Sequence, residues 1–235
     1  MAFPMIGTTA LSLAFALPKA IIMIAIPSII MNIIVLFSNN KNGIVQEIIF
    51  YFRNYWLLVI ATIIGSIIGI KLLLVLPVGI MYLVMSIVTL AYVSNEILSE
   101  KGLIKPIKFS TNIFSTIIFG ILAGIIGGAT NAMSPILMMY LFSKTTNKHE
   151  IVKSSNICYF FGKVIQLFLL GNQIDKINDK EIIFILCITV VSIIFLFIGI
   201  KFRNKVSNRF FKNTIYIILI LLGVKVGYSG IVTLP

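Results

Sequence analysis

Long apolar runs separated by short polar segments dominate the chain. A helix needs about 20 apolar residues to cross the hydrocarbon core of a bilayer. Six runs meet this length, at residues 19–38, 54–75, 78–94, 151–170, 181–200 and 213–233. This pattern predicts an all-α polytopic membrane protein that crosses the cell membrane several times.

Two further apolar stretches are less regular. Residues 2–17 form a short one that Pro18 closes, and residues 111–143 form one too long for a simple crossing. The second is interrupted at 127–135, GGATNAMSP, where glycine and proline are expected to break the helix. Backbone groups freed inside a membrane must be satisfied by protein or by a wet cavity.

Composition excludes the classes of protein that work in water. Only 11% of the residues are charged, the hydrophobic fraction is 59% and the mean hydropathy is +1.10, whereas about a quarter of the residues of an ordinary soluble domain are charged. A soluble enzyme, a nucleic-acid binder and a disordered protein are therefore excluded. The net charge of +12 comes from basic residues that lie mainly between the apolar runs.

The basic residues predict the orientation. If 111–143 runs across and back as a pair, twelve basic residues fall on one face, at positions Lys41, Arg53, Lys101, Lys105, Lys108, Lys144, Lys148, Lys201, Arg203, Lys205, Arg209 and Lys212. The opposite face then holds Lys176 and Lys180, with Lys19 and Lys71 at helix ends. A single crossing would bring the faces near parity. The positive-inside rule favours the pair, with the twelve-charge face in the cytoplasm and the C-terminus outside.

The chain also resembles itself at an offset of 130 residues. Residues 66–71 match 196–201, and residues 2–6 match 132–136. The second unit would contain five membrane segments, at 111–127, 132–143, 151–170, 181–200 and 213–233. Because an odd number of crossings turns the next unit over, we expect two inverted repeats.

The repeat defines the predicted domains. Residues 1–95 form the first repeat, 96–110 a cytoplasmic linker and 111–235 the second repeat. At this offset nothing in the first repeat matches 111–130, so its first helix is missing. Either the natural protein begins upstream of Met1, or this helix has been lost.

Two lysines within the spans are the strongest candidates for chemistry. Lys163 and Lys225 lie inside apolar runs, while all seven acids lie in loops or at helix ends. A lysine at the bilayer centre costs about 2.5 to 3.5 kcal/mol and should face protein or water. An anionic substrate would supply the missing partner. The alternative is that both side chains reach an interface or bind backbone carbonyls.

The predicted helix break is the second candidate. Freed amides, a helix start and small polar side chains suit an anion. The residues that would contribute from the break are Gly127, Gly128, Thr130, Asn131, Ser134 and Pro135, with Thr8 and Thr9 from the matching first stretch. Asn32 and Asn156 are weaker candidates within spans. The alternative is that the small residues only permit close helix packing, as we expect for the pair Gly65 and Gly69.

Several kinds of chemistry have no support. The single histidine is His149, the cysteines Cys158 and Cys187 lie in apolar segments, and no phosphate-binding loop is present. We expect no metal, no cofactor and no enzymatic activity. A proton relay has no acid or histidine in a span interior, although Glu150 near a helix end stays open.

Particular motifs resemble a known family. Residues 7–20, GTTALSLAFALPKA, with 25–32, AIPSIIMN, resemble the first-repeat signature of the TauE/SafE sulfite exporter family, also called toluene sulfonate uptake permeases. Residues 120–128, GILAGIIGG, and the following Ser134-Pro135 resemble its second-repeat signature. The chain departs from the family in lacking the opening helix and in having two glycines at 127–128 where the family has three.

The resemblance implies a secondary transporter. Members of that family carry small, often sulfur-containing, anions, so we expect a permease for sulfite, a sulfonate or a related organic anion, working by alternating access. Its partners would be a small anionic substrate and the lipid bilayer, with no nucleic acid, and a homodimer is left open. The alternative function is a non-transporting membrane subunit or scaffold of a larger complex.

Overall fold

The computed structural model describes residues 3–12, 14–38, 44–75, 77–100, 102–104 and 109–233. The described residues form nine α-helices and one short 3-10 turn, Gly171–Lys176, and contain no strand. The helices are α1 Phe3–Leu11, α2 Leu17–Phe37, α3 Ile44–Leu73, α4 Val78–Glu100, α5 Ile113–Thr130, α6 Ser134–Lys144, α7 Lys148–Leu169, α8 Asp179–Lys205 and α9 Asn208–Val232.

The predicted spans are helices in the structure. Among the described residues, α2, α3, α5, α8 and α9 are long and apolar enough to cross a membrane. Helices α4 and α7 occupy the other two predicted spans, and α7 is buried along most of its length despite its polar side chains. Helix α3 begins ten residues before the predicted 54–75 span, because the preceding amphipathic segment is continuous with it. The protein is therefore all-helical and multi-pass.

The long stretch 111–143 is a hairpin. Helix α5 has 18 residues and α6 has 11, and only residues 131–133 between them are non-helical. The hydroxyls of Thr116, near the start of α5, and Tyr140, near the end of α6, share a 2.6 Å hydrogen bond. The two helices are therefore antiparallel. At about 1.5 Å per residue, α6 crosses only about half of the hydrocarbon core.

Glycines bring α3 and α5 into direct backbone contact. A Cβ atom on Gly65 or Gly69 would collide with the carbonyls of Ile121 or Ile125, and one on Gly128 would lie 2.5 Å from the Ser66 carbonyl oxygen. The helix contact predicted for Gly65 and Gly69 is confirmed. Small residues at such crossings replace the hydrophobic driving force that lipid does not provide.

The other helices pack in pairs around this contact. Helix α4 lies along α9, α2 lies along both α7 and α8, and α3 also contacts α7. The largest buried cluster joins α3, α5, α6 and α7 and includes Tyr55, Leu137, Tyr140 and Cys158. This core holds the α5–α6 break against α7, where the candidate site lies.

Replacing Gly69 with leucine is expected to destabilise the protein. The side chain would have to displace the backbone of α5, and overpacking costs about 3 kcal/mol at the upper end. Thermal unfolding in detergent should therefore begin at a clearly lower temperature. Gly199→Leu is the matched control, because a Cβ at Gly199 meets nothing within 4 Å. Equal unfolding temperatures for the two variants would contradict this packing.

The charge distribution gives a separate test of orientation. With the twelve-charge face in the cytoplasm, an alkaline phosphatase fused after residue 235 should be active, because it lies outside the cell. The same enzyme inserted at residues 145–147 should be inactive. The reverse pattern of activities would show that the orientation is wrong.

Candidate functional site

The α5 helix ends at a residue that turns the chain sharply. Asn131 has φ 63°, in the left-handed region that few residues other than glycine and asparagine adopt. Its N–H donates to the Gly127 carbonyl at 3.0 Å and closes the last turn. Helix α6 then begins at Ser134 and Pro135, where proline is well suited because its missing N–H would have no helical partner.

A glutamine from α7 satisfies the carbonyl end of α5. The Gln166 amide nitrogen donates to the carbonyl oxygens of Gly127 at 2.9 Å and Gly128 at 3.0 Å, and to Asn131 Oδ1 at 2.8 Å. Gln166 is 1% exposed. The broken helix end is thus held by a side chain of the neighbouring helix, as a membrane interior requires.

Lys163 lies one turn before Gln166 on the same face of α7. Its ammonium donates to Asn131 Oδ1 and, at 2.7 Å, to Gln166 Oε1, and the residue is 6% exposed. The ion pairs formed by described residues involve Lys19, Lys153 and Lys212, so no carboxylate of that part of the chain neutralises Lys163. An ammonium has three donors, and two of them are used here.

A small cavity of about 20 Å³ adjoins this ammonium, with room for about one water molecule. It is lined by Pro4, Gly127, Asn131, Met133, Ser134, Tyr159, Gly162, Lys163 and Gln166. Helices α1 and α6 both begin at this cavity, through Pro4 and Ser134 respectively. Their amino ends add partial positive charge to that of the lysine.

The structure places most of the predicted site residues around this cavity. Gly127, Asn131, Ser134 and Lys163 line it, and Asn131 Nδ2 donates to Thr8 Oγ1 at 2.5 Å, which ties α1 to the break. The Gly128 carbonyl is held by Gln166 and Pro135 starts α6.

Two threonines differ from the rest of this predicted set. The Thr130 hydroxyl donates back to the Ile126 carbonyl at 2.7 Å, so it serves its own helix. The Thr9 side chain lies outside the described residues.

Three predicted residues do not join the cluster. Asn32 and Asn156 line a larger, mostly apolar cavity of about 680 Å³, and the Asn156 amide donates to the Val152 carbonyl of its own helix at 2.7 Å. Lys225 is exposed on α9, because Leu222 and Val226 on the opposite side of that helix face the core. Lys225 lines neither cavity.

Sequence reasoning missed three polar residues of α7. Gln166 could have been found from its spacing of three from Lys163, since such pairs are neighbours on a helix. Tyr159 lines both cavities. Lys153 is 1% exposed and donates to the Leu36 and Ser38 carbonyls, each at 2.6 Å, so it caps the end of α2.

Acids of the described residues lie away from the cavity. The Glu150 carboxylate accepts hydrogen bonds from Tyr55 at 2.8 Å and Thr145 at 2.7 Å, near the ends of α6 and α7. Glu96 binds Lys212 at 3.0 Å and Glu181 binds Lys19 at 2.8 Å, both at helix ends. Around the cavity the described side chains are therefore cationic or neutral.

Comparison with known proteins gives one match. Neither the curated proteins nor the solved structures contain a match to this chain. A family model described as "Sulfite exporter TauE/SafE" matches residues 1–226, which is nearly the whole sequence. With its apolar helices, its half-length α6 and its buried lysine, the chain belongs to the TauE/SafE sulfite exporter family of membrane transporters.

Proposed function

We propose that the protein is a secondary transporter that binds a small anion, sulfite or a related sulfur-containing or organic anion, beside Lys163. The observation that carries this proposal is the buried ammonium, which is bonded only to amide oxygens and lies at the start of two helices. Family membership supports transport of such anions. Localisation in the plasma membrane is part of the proposal.

Charge balance favours an anion over any other ligand. A lysine held within the membrane costs about 2.5 to 3.5 kcal/mol, and two amide oxygens offset this only in part because they carry no net charge. An anion at the third ammonium donor would neutralise the site. Ser134 and Tyr159, which line the same cavity, and the first-turn amides of α6 are further donors for its remaining oxygens.

Corresponding helices support the inverted repeats. Shifted by 130 residues, α1, α2 and α4 coincide within about two residues with α6, α7 and α9 at their starts. The contacts also obey a two-fold relation: α2 pairs with its counterpart α7, α4 pairs with its counterpart α9, and α3–α7 corresponds to α8–α2. We propose that residues 1–95 and 111–235 are these repeats, joined by the linker 96–110.

This arrangement suggests how access would alternate. Helices α1 and α6 are half-length and begin at the same cavity, and their counterparts would lead to opposite sides of the membrane. The cavity holds about one water, so an anion enters only after one of these helices moves. The bond between Asn131 and Thr8 connects the two moving parts.

Lys163→Met is expected to abolish most transport. A hydrogen bond to a charged group contributes about 1.5 to 3 kcal/mol, so sulfite flux into proteoliposomes should fall at least about 10-fold. Lys225→Met is the matched control, since Lys225 is exposed and lines neither cavity, and its flux should be unchanged. Undiminished flux through Lys163→Met would contradict the site. Absence of flux in the unaltered protein would favour the non-transporting subunit.

Asn131→Asp tests the charge argument from the other side. The new carboxylate would contact the Lys163 ammonium and could still accept from Gln166 and Thr8, so the fold should survive. Because it would replace the substrate's charge, the sulfite concentration for half-maximal flux should rise at least about 10-fold. Asn112→Asp, at the exposed start of α5, is the control. An unchanged concentration dependence in Asn131→Asp would refute this role of Lys163.

A further inference from the structure

Helix α8 is buried less than any other candidate span of the described chain. Only 17% of its most apolar window is buried, compared with 39% to 67% for the others. It packs mainly along α2. Its counterpart α3, by contrast, contacts both α7 and α5 and is the most tightly packed of the helices.

The residues of α8 that match the α5-binding face of α3 line the large cavity. On α3, the residues that the glycines and backbone of α5 approach are Ala61, Thr62, Gly65, Ser66 and Gly69. At the offset of 130 their counterparts are Val191, Ser192, Phe195, Leu196 and Gly199. All five of these counterparts line the cavity of about 680 Å³.

We propose that this cavity is the seat of one further transmembrane helix, the counterpart of α5, which runs directly into α1. The inference rests on the repeat correspondence proposed above and not on the anion site. The helix would lie parallel to α8, as α5 lies parallel to α3: Gly120 meets Ala61 and Gly128 meets Ser66 further along both helices.

The position of α1 selects a covalently connected helix. Phe3 and Pro4, at the start of α1, line the cavity. In the second repeat, only residues 131–133 separate the end of α5 from the start of α6. A helix seated on α8 would therefore end beside Phe3 and need only a similar short connection.

An unpaired amide indicates what the end of this helix would bind. Asn32 lines the cavity, is 8% exposed, and its Nδ2 has no hydrogen-bond partner. Asn32 is on α2, the counterpart of α7, whose Gln166 holds the last carbonyls of α5. The final carbonyls of a helix need such donors. Acyl chains would leave the Asn32 amide unsatisfied.

The lining also defines the chemistry of the helix. It should be apolar, about as long as α5 with its 18 residues, and carry small residues towards its carboxyl end, where Gly199 permits close approach. Phe195 stands where α3 has Gly65, so the upper contact would be looser than that between α3 and α5.

The first test is the intact mass of the protein isolated from its native membranes. The expected result is a mass larger than the 26.1 kDa of this sequence, with fragmentation giving an apolar segment directly before Met1. A mass that corresponds to a chain beginning at Met1 would overturn the proposal.

The second test locates the helix by cross-linking. In a Cys187→Ser background of that native chain, a cysteine is placed at the upstream residue that matches Gly120 and paired with Val191→Cys, the counterpart of Ala61. A Cβ on Gly120 would lie 2.5 Å from the Ala61 Cβ, within reach of a disulfide after a small shift. Val190→Cys, 58% exposed and outside the cavity, is the control.

Oxidation in membranes should give at least about tenfold more intramolecular disulfide with Val191→Cys than with Val190→Cys, since tethered neighbours have a high effective concentration. Equal or absent cross-linking would overturn the proposal, as would a product of twice the mass, which would place a second copy on α8. Transport is not measured, so failure here is distinct from failure of the anion site.

Discussion

The bonds between Lys163, Asn131 and Gln166 hold the centre of the molecule together. The hairpin of α5 and α6 leaves carbonyls without helical partners inside the membrane, and Gln166 of α7 binds them. Lys163 binds the same two side-chain amides and so places a positive charge at the break. One network therefore satisfies the fold and creates the electrostatic field that an anion would experience.

The close contact of α3 with α5 makes this network possible. Glycines along both helices remove the side chains that would separate their backbones, which fixes where α5 ends. Asn131 then turns the chain in a left-handed conformation and reaches Thr8 of α1. The beginnings of two half-length helices thus meet at one cavity, as in transporters that bind substrate at a repeat interface.

The spans and the helix break could be predicted because apolar length and glycine–proline interruptions are local properties of sequence. The fate of a lysine could not. Lys153, Lys163 and Lys225 all lie in apolar helices, yet the first caps α2, the second joins the break and the third is exposed. Their difference depends on which helix faces each side chain. Gln166 was missed for the same reason, since its partners are backbone atoms 38 and 39 residues away.

The most direct test is the position of a bound anion. Selenite is an isostere of sulfite with a strong anomalous signal, so crystals grown with it would locate the ligand by its selenium. The account predicts one anomalous peak within about 4 Å of the Lys163 ammonium, near the start of α6, the distance expected of an ion pair. A peak elsewhere in the protein, with the bonds from Lys163 to Asn131 and Gln166 unchanged, would contradict it.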